Sequence, residues 1–248
     1  MAQFQRDFLD WVNEKKLVTI ATPNPEHMVQ SADDDAFWQA LQRFDVLLPD
    51  GVGLVLANRW WRWRGREHNL PTKMHRISGR EAVEWWLRHL EQLPENQKHK
   101  TLLLGAGTGI AEQLARTVDE TSNWCLGLEG YTKISDLFAS QPSEKTQQEH
   151  AFVMDLIQQE KPKVVFVAFG APHQERWIQT YRQELEKSGV KVAMVCGGAF
   201  DYLVGEAKMA PAWIASLGFE WLWRLILQPW RWRRQLRLVA FLRGILWG

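Results

Sequence analysis

Short apolar runs alternate along this chain with longer stretches whose apolar residues recur every three or four positions. The short runs, at 17–22, 45–48, 101–104, 124–128, 164–169 and 192–196, read as strands. The longer periodic stretches, at 3–14, 25–44, 80–92, 110–118, 144–160 and 173–187, read as helices. Strands separated by helices of this length predict βαβ units. The fold class expected is α/β, a Rossmann-like, doubly wound and mostly parallel sheet, with a helical appendage at the C-terminus.

In such a sheet ligands sit beyond the carboxyl ends of the strands. The six strand ends lead in turn to Thr22-Pro23-Asn24-Pro25, Pro49-Asp50-Gly51, Gly105-Ala106-Gly107-Thr108-Gly109, Glu129-Gly130-Tyr131, Gly170-Ala171-Pro172-His173-Gln174-Glu175 and Gly197-Gly198-Ala199-Phe200-Asp201. Polar, glycine-rich turns at six successive strand ends predict one rim. That rim is the candidate active site.

The pattern changes at the end of the chain. Residues 219–248 hold five tryptophans and six arginines against one acid, a net charge of +5, whereas the whole chain is only +1. From Trp232 onward, apolar residues at 232, 236, 239, 242 and 246 fall on one helical face, with Arg233, Arg234 and Arg237 on the other side. Pro229 is expected to break this tail into two helices. No run reaches the ~18 uninterrupted apolar residues of a membrane span. A basic, aromatic tail of this kind suits an anionic membrane surface, on which it would lie without crossing. Two units are expected: a catalytic domain over 1–210 and an appendage over 211–248. Nucleic acid is not expected as a partner, because the rest of the chain carries no basic surplus.

At 46% hydrophobic and 24% charged the composition is that of a globular protein with ample core. The N-terminus lacks the basic start and apolar block of a signal peptide. Cys125 and Cys196 match no metal spacing, and buried free thiols in a reducing cytosol are expected. The seven histidines include no pair at metal spacing, so no metal site is expected. The glycines at 105, 107 and 109 suit either a phosphate cradle or a tight strand-to-helix turn. Ile110 stands where a dinucleotide fingerprint needs its third glycine. Asp50, between Pro49 and Gly51, reads as a turn residue or as a general base reached from a buried strand. Thr22 and Asn24 suit an N-cap, or hydrogen bonds to a sugar. His173 reads as a first-turn helix residue.

Several motifs in one order then become recognisable. Gly170-Ala171-Pro172-His173-Gln174-Glu175-Arg176-Trp177-Ile178 and Gly197-Gly198-Ala199-Phe200-Asp201 resemble the WecG/TagA/CpsF family of bacterial glycosyltransferases. So do Leu217-Gly218-Phe219-Glu220-Trp221 and the arginines that follow Gln228-Pro229. Upstream, Thr22-Pro23-Asn24-Pro25, Pro49-Asp50-Gly51 and Arg76-Ile77-Ser78-Gly79 fit the same order. The resemblance implies an inverting, metal-independent transfer of N-acetylmannosamine or its uronic acid from UDP. The acceptor implied is a polyprenyl-diphosphate-linked N-acetylglucosamine, in the synthesis of teichoic acid or another surface polysaccharide. No cofactor is implied beyond the UDP-sugar donor.

Carried onto this chain, Asp50 looks like the catalytic base, with Thr22 beside it. Asn24, Arg76, Gln174 and Asp201 look like substrate contacts; Gly105 and Gly107 join the substrate-binding set from the phosphate-cradle reading of their own loop. Arg224, Arg231 and Arg234 look like the appendage arginines that meet diphosphate. Lys208-Met209-Ala210-Pro211 departs from the family pattern by one positive charge, and the stretch 59–76 is longer and richer in tryptophan. The implied location is cytoplasmic and peripheral, on the inner face of the cell membrane; the oligomeric state, monomer or homo-oligomer, is left open. Two other classes compete, a non-enzymatic membrane adaptor and an NAD-dependent oxidoreductase. The glycine spacing argues against the second.

Overall fold

A computed structural model of the chain describes residues 1–65, 74–121, 123–207, 210, 211, 214, 220–227 and 232–247. Each of the six predicted strands forms: β1 (Val18–Ala21), β2 (Val46–Leu47), β3 (Thr101–Gly105), β4 (Cys125–Leu128), β5 (Val164–Ala168) and β6 (Val192–Val195). They make one sheet in the order β2-β1-β6-β5-β3-β4, with every pair parallel. The fold is therefore α/β with an open parallel sheet, as the alternating pattern predicts.

Strand alternation sorts the side chains into two cores. On one face Val18, Ile20, Leu103, Phe166 and Met194 meet α1 (Ala2–Asn13), α5 (Gly79–Glu91), α6 (Ile110–Val118) and the short α10 (Ala199–Leu203). On the other, Ala21, Leu102, Leu104, Val165 and Val195 meet α3 (Asp35–Gln42), α7 (Glu144–Glu160), α8 (His173–Thr180) and α9 (Arg182–Lys187). Cys125 and Cys196 are both buried free thiols.

Two predicted helices are each divided. The stretch 25–44 becomes α2 (Pro25–Ala32) and α3, because Asp34 caps a new start by accepting from the Phe37 amide at 3.0 Å. The stretch 173–187 divides at Tyr181, whose backbone (φ −102°, ψ 19°) leaves the helix. Helix α4 (Val52–Trp63) lay hidden behind the Asp50-Gly51 turn signal and its run of tryptophans. It forms where small residues let it pack. A Cβ on Gly53 would stand 2.7 Å from Pro25 Cγ, so α4 and α2 touch at a glycine.

The end of the chain supplies α11 (Glu220–Leu227) and α12 (Trp232–Trp247); Pro229, expected to break the tail, lies outside the described residues. Helix α12 packs on α2 and α4: Phe241 and Ile245 are buried with Ala57, against Met28, Val29 and Leu54. Arg237 reaches Glu26 at 3.3 Å and Gln30 at 3.2 Å. The inward side of α12 is thus 237, 241 and 245. Val239 and Leu242, placed on the apolar stripe read from the sequence, are exposed. These two face out because α2 offers a carboxylate and an amide to Arg237 while Phe241 fills the apolar space below; the side chains of Trp232, Leu236 and Leu246 lie outside the described residues.

Helix α6 lies against β4 at Gly127, where a Cβ would stand 2.1 Å from the Ala111 carbonyl oxygen. No side-chain adjustment relieves a backbone clash of that size. Gly127→Ala is expected to cost about 3 kcal/mol. Urea unfolding of the two proteins measures it, and equal midpoints would contradict the close approach.

Candidate active site

The carboxyl ends of all six strands share one edge, since the sheet is wholly parallel. At one end of that edge three loops are bonded together. The Asp50 amide donates to the Pro23 carbonyl at 2.8 Å, extending the ladder begun by Leu48 N to Ala21 O, also 2.8 Å. The Ile77 amide donates to Pro49 O at 3.1 Å, which seats Arg76 beside the Asp50 turn. Thr22, Asn24, Asp50 and Arg76 are thereby brought together from three separate stretches.

Each loop is fixed from behind. Asn24 caps α2, its side-chain oxygen accepting from the His27 amide at 3.0 Å. Thr22 is buried and its hydroxyl donates to Val195 O at 3.3 Å, tying the end of β1 to β6. Ser78 and Glu81 form a reciprocal capping box at the start of α5. Burial pushes the Glu81 carboxyl up, but the Ser78 bonds and the nearby charges of Arg76 and Arg80 hold it below its usual value. A Cβ on Gly79 would meet Cys196 Cα at 2.9 Å, so this capped helix end presses on the end of β6.

Strand β2 leads to Asp50 and is only two residues long. Its far end is anchored by Asp45, which accepts from the Thr19 amide at 2.7 Å and the Thr19 hydroxyl at 2.8 Å. Arg182 holds both Asp45 oxygens at 2.9 Å. Burial raises the Asp45 carboxyl, yet these bonds outweigh it and keep the group below its ordinary value. The short strand is thus gripped at both ends.

The middle of the rim is organised by Gln174. Its oxygen accepts from the amides of Gly170 and Gly197, both at 3.2 Å, clamping the loops after β5 and β6 to each other. Its amide nitrogen donates to Glu175 at 2.9 Å. Both residues are buried. Asp201 sits in the first turn of α10, where a Cβ on Gly198 would lie 3.6 Å from its carboxylate. His173 is the first residue of α8 and stacks on Phe138 at 6.0 Å; burial and Arg176 lower its pKa, against a smaller upward pull from Asp34.

At the other end lies the loop after β3. Gly105 is required by packing, because a Cβ there would stand 2.8 Å from Phe169 and 2.9 Å from the Ala168 carbonyl carbon. Gly109 has φ +74° at the N-cap of α6. Gly107 is different: its backbone demands no glycine, and a Cβ would meet only Ile110 at 3.5 Å. Three strands separate β2 from β3, so this loop lies about 19 Å from the Asp50 loop. Only an extended ligand reaches both.

The tail arginines are placed in part. Arg224 falls in α11 and Arg234 in α12, with their side chains outside the described residues; Arg231 lies outside them altogether. Among the described residues no three His, Cys, Asp or Glu side chains gather at metal-binding spacing. No described helix is long and apolar enough to cross a membrane.

One residue given no role from the sequence stands out. Glu175 is fully buried, and one of its oxygens finds no hydrogen-bond partner among the described residues. Burial pushes its carboxyl up to about 7, against a smaller downward pull from Gln174. The sequence signal was its place after the glutamine of a rim loop, but a charged residue in a first helical turn reads as solvated.

Known proteins resemble the chain along its length. Residues 1–248 match the family described as "Glycosyl transferase WecG/TagA/CpsF family". An N-acetylglucosaminyldiphosphoundecaprenol N-acetyl-beta-D-mannosaminyltransferase of Bacillus subtilis (strain 168) is 30% identical over 243 residues, 97% of this chain and 84% of the relative. Proteins of the same name from Bacillus spizizenii and Staphylococcus aureus (strain MRSA252) are 29% and 28% identical. They cover 95% and 88% of this chain, and 81% and 74% of their own lengths are matched.

Glu175 makes a pH test. Its carboxyl titrates near 4.5 when unfolded and about 7 when folded, so folding takes up a proton across that window. The stabilisation contributed by this one group is greatest below about 4.5 and is lost as pH rises through 7. In Glu175→Gln that slope, at most about 3 kcal/mol, is expected to vanish. Unfolding free energies measured across the window for both proteins decide it, and parallel profiles would clear Glu175.

Proposed function

The chain belongs to the WecG/TagA/CpsF glycosyl transferase family, and on that premise we propose that it transfers an N-acetylmannosamine-type sugar from UDP to a polyprenyl-diphosphate-linked N-acetylglucosamine. The names of the three relatives support this substrate pair on the acceptor and sugar side. The observation that carries the reading is the meeting of the Thr22, Asp50 and Arg76 loops at one end of the rim through the Asp50–Pro23 and Ile77–Pro49 bonds.

In the proposed reaction the Asp50 carboxylate takes the proton from an acceptor hydroxyl as that oxygen attacks the anomeric carbon. The bond from that carbon to the UDP oxygen breaks, and UDP leaves with the electron pair and its negative charge. Attack from the opposite face inverts the configuration. Guanidinium groups offset the charge of the departing diphosphate, the role proposed for Arg224, Arg231 and Arg234, so no metal is needed. Gly107, open where the fold leaves it free to carry a side chain, suits the nucleotide end. Asp201 and Asn24 are assigned to substrate contact on the same rim.

The lipid acceptor places its diphosphate at head-group depth. The exposed apolar side chains Leu222 and Ile226 of α11, and Val239 and Leu242 of α12, support a peripheral seat on the inner face of the cell membrane. The reaction would serve teichoic acid or a related surface polymer.

Asp50→Asn is expected to lower transfer at least about a hundredfold while UDP affinity stays unchanged. Radiolabelled transfer and calorimetry read the two quantities; a fully active variant removes Asp50 as base. Turnover is expected to survive EDTA, and a rate restored only by a divalent cation would overturn the metal-free scheme. Removing residues 212–248 is expected to abolish both liposome binding and transfer to lipid-linked acceptor. A truncated chain that still turns over would free the tail of this role.

A further inference from the structure

Helix α4 leaves the Asp50-Gly51 turn and carries a tryptophan-rich sequence for which the transfer chemistry has no use. Its residues 53, 56, 57, 60 and 63 recur at helical spacing and line an apolar groove closed on its other side by Leu242 and Ile245 of α12. The floor is small, Gly53 and Ala57; the walls are large, Leu56, Trp60, Trp63 and Leu242. The groove holds about 430 Å³ and so falls within the range of small-molecule sites, roughly 300–1,000 Å³.

Three features define its occupant. The first is continuity: Gly53 lies three residues past the candidate base, and from there to Trp63 the helix rises about 15 Å away from the rim. A molecule presenting a hydroxyl at Asp50 and extending outward would follow this line. The second is polarity. Apart from Arg59, the lining is apolar, so a chain of hydrocarbon fits it and a sugar or peptide does not. Arg59 carries the sign that complements an anionic diphosphate joining sugar to chain. The third is shape. Leu56 and Leu242 are half exposed and Trp63 is 75% exposed, while Ala57 between them is buried. A flat bilayer surface would touch the walls and miss the floor, whereas a single chain reaches it.

We propose that the groove between α4 and α12 holds the first isoprene units of the acceptor's polyprenyl chain, leading the lipid away from the site of transfer. The inference rests on the transferase reading and assigns the tryptophan-rich helix to acceptor recognition. Trp60 and Trp63, 5.2 Å apart, form an aromatic wall for unsaturated hydrocarbon, and Arg64 stacked over Trp60 at 4.7 Å holds that ring from the side.

The test is equilibrium binding of farnesyl diphosphate and of inorganic diphosphate to the full chain, without turnover. The lipid form is expected to bind at least about tenfold more tightly, the effect of burying some two methylenes. In Leu56→Glu and Leu242→Glu, both at half-exposed positions, the preference is expected to disappear while circular dichroism and melting stay native. A farnesyl diphosphate bearing a photoreactive diazirine is expected to label the wild-type peptides spanning 53–63 or 242–245, which keeps the test alive if either variant unfolds. Equal affinity for the two diphosphates, a preference kept in both folded variants, or labelling confined elsewhere would overturn the proposal. Phosphatidylglycerol vesicles provide the contrasting arm: variants that lose vesicle binding but keep the farnesyl preference would make the groove a bilayer contact, and again overturn it. A chain that transfers sugar with no chain-length preference refutes the groove alone. A chain that binds farnesyl diphosphate here yet transfers no sugar refutes the transferase reading alone.

Discussion

A two-residue strand leads to the candidate base, and the rest of the site depends on how that strand is gripped. Strand β2 pairs only with β1, so few ladder bonds fix it. What it lacks in length is supplied at its ends, by Asp45 on Thr19 and Arg182 and by the Asp50 amide on Pro23. These are charge-assisted or partly buried bonds, stronger than a typical surface contact. The loops carrying Thr22 and Arg76 then take their places relative to Asp50 through backbone bonds, whose geometry does not depend on a rotamer.

Much of the architecture was legible because it rests on periodicity. Six apolar runs became six strands, and the polar turns that follow them share one edge because every pair is parallel. The apolar spacing over 25–44 reads as one continuous helix, although Asp34 is a residue type that favours a cap; its acid neighbours Asp33 and Asp35 hide which of the three acts. Helix α4 was missed for a different reason. Its apolar positions recur at helical spacing, but they begin directly behind the Asp50-Gly51 turn signal and are crowded by neighbouring tryptophans and arginines; contact with Pro25 and Phe241, far away in sequence, holds the helix in place.

The candidate site divides in the same way. Asp50, Thr22, Asn24 and Arg76 were visible as motif residues, and the structure gathers them. Gln174 was expected to meet substrate; its oxygen is committed to two backbone amides, so its demonstrated work is to hold two loops together. Glu175 beside it was overlooked because burial is a property of the folded chain. In the tail, Arg237 was assigned to the outer side by helical spacing, and it turns inward because Glu26 and Gln30 wait there on α2.

The Asp45–Arg182 grip has a consequence for how variation in this chain would be interpreted. Arg182 opens α9, and Asp45 stands five residues before Asp50, at the opposite end of β2 from the sheet edge where any substrate sits. Loosening that distant ion pair would let the strand slide in its track without disturbing a single ligand contact. Kinetic defects could thus originate at a place that inhibitors and substrate analogues never touch, and a survey confined to the cleft would overlook the hinge pin on which the cleft's sharpest tool is mounted.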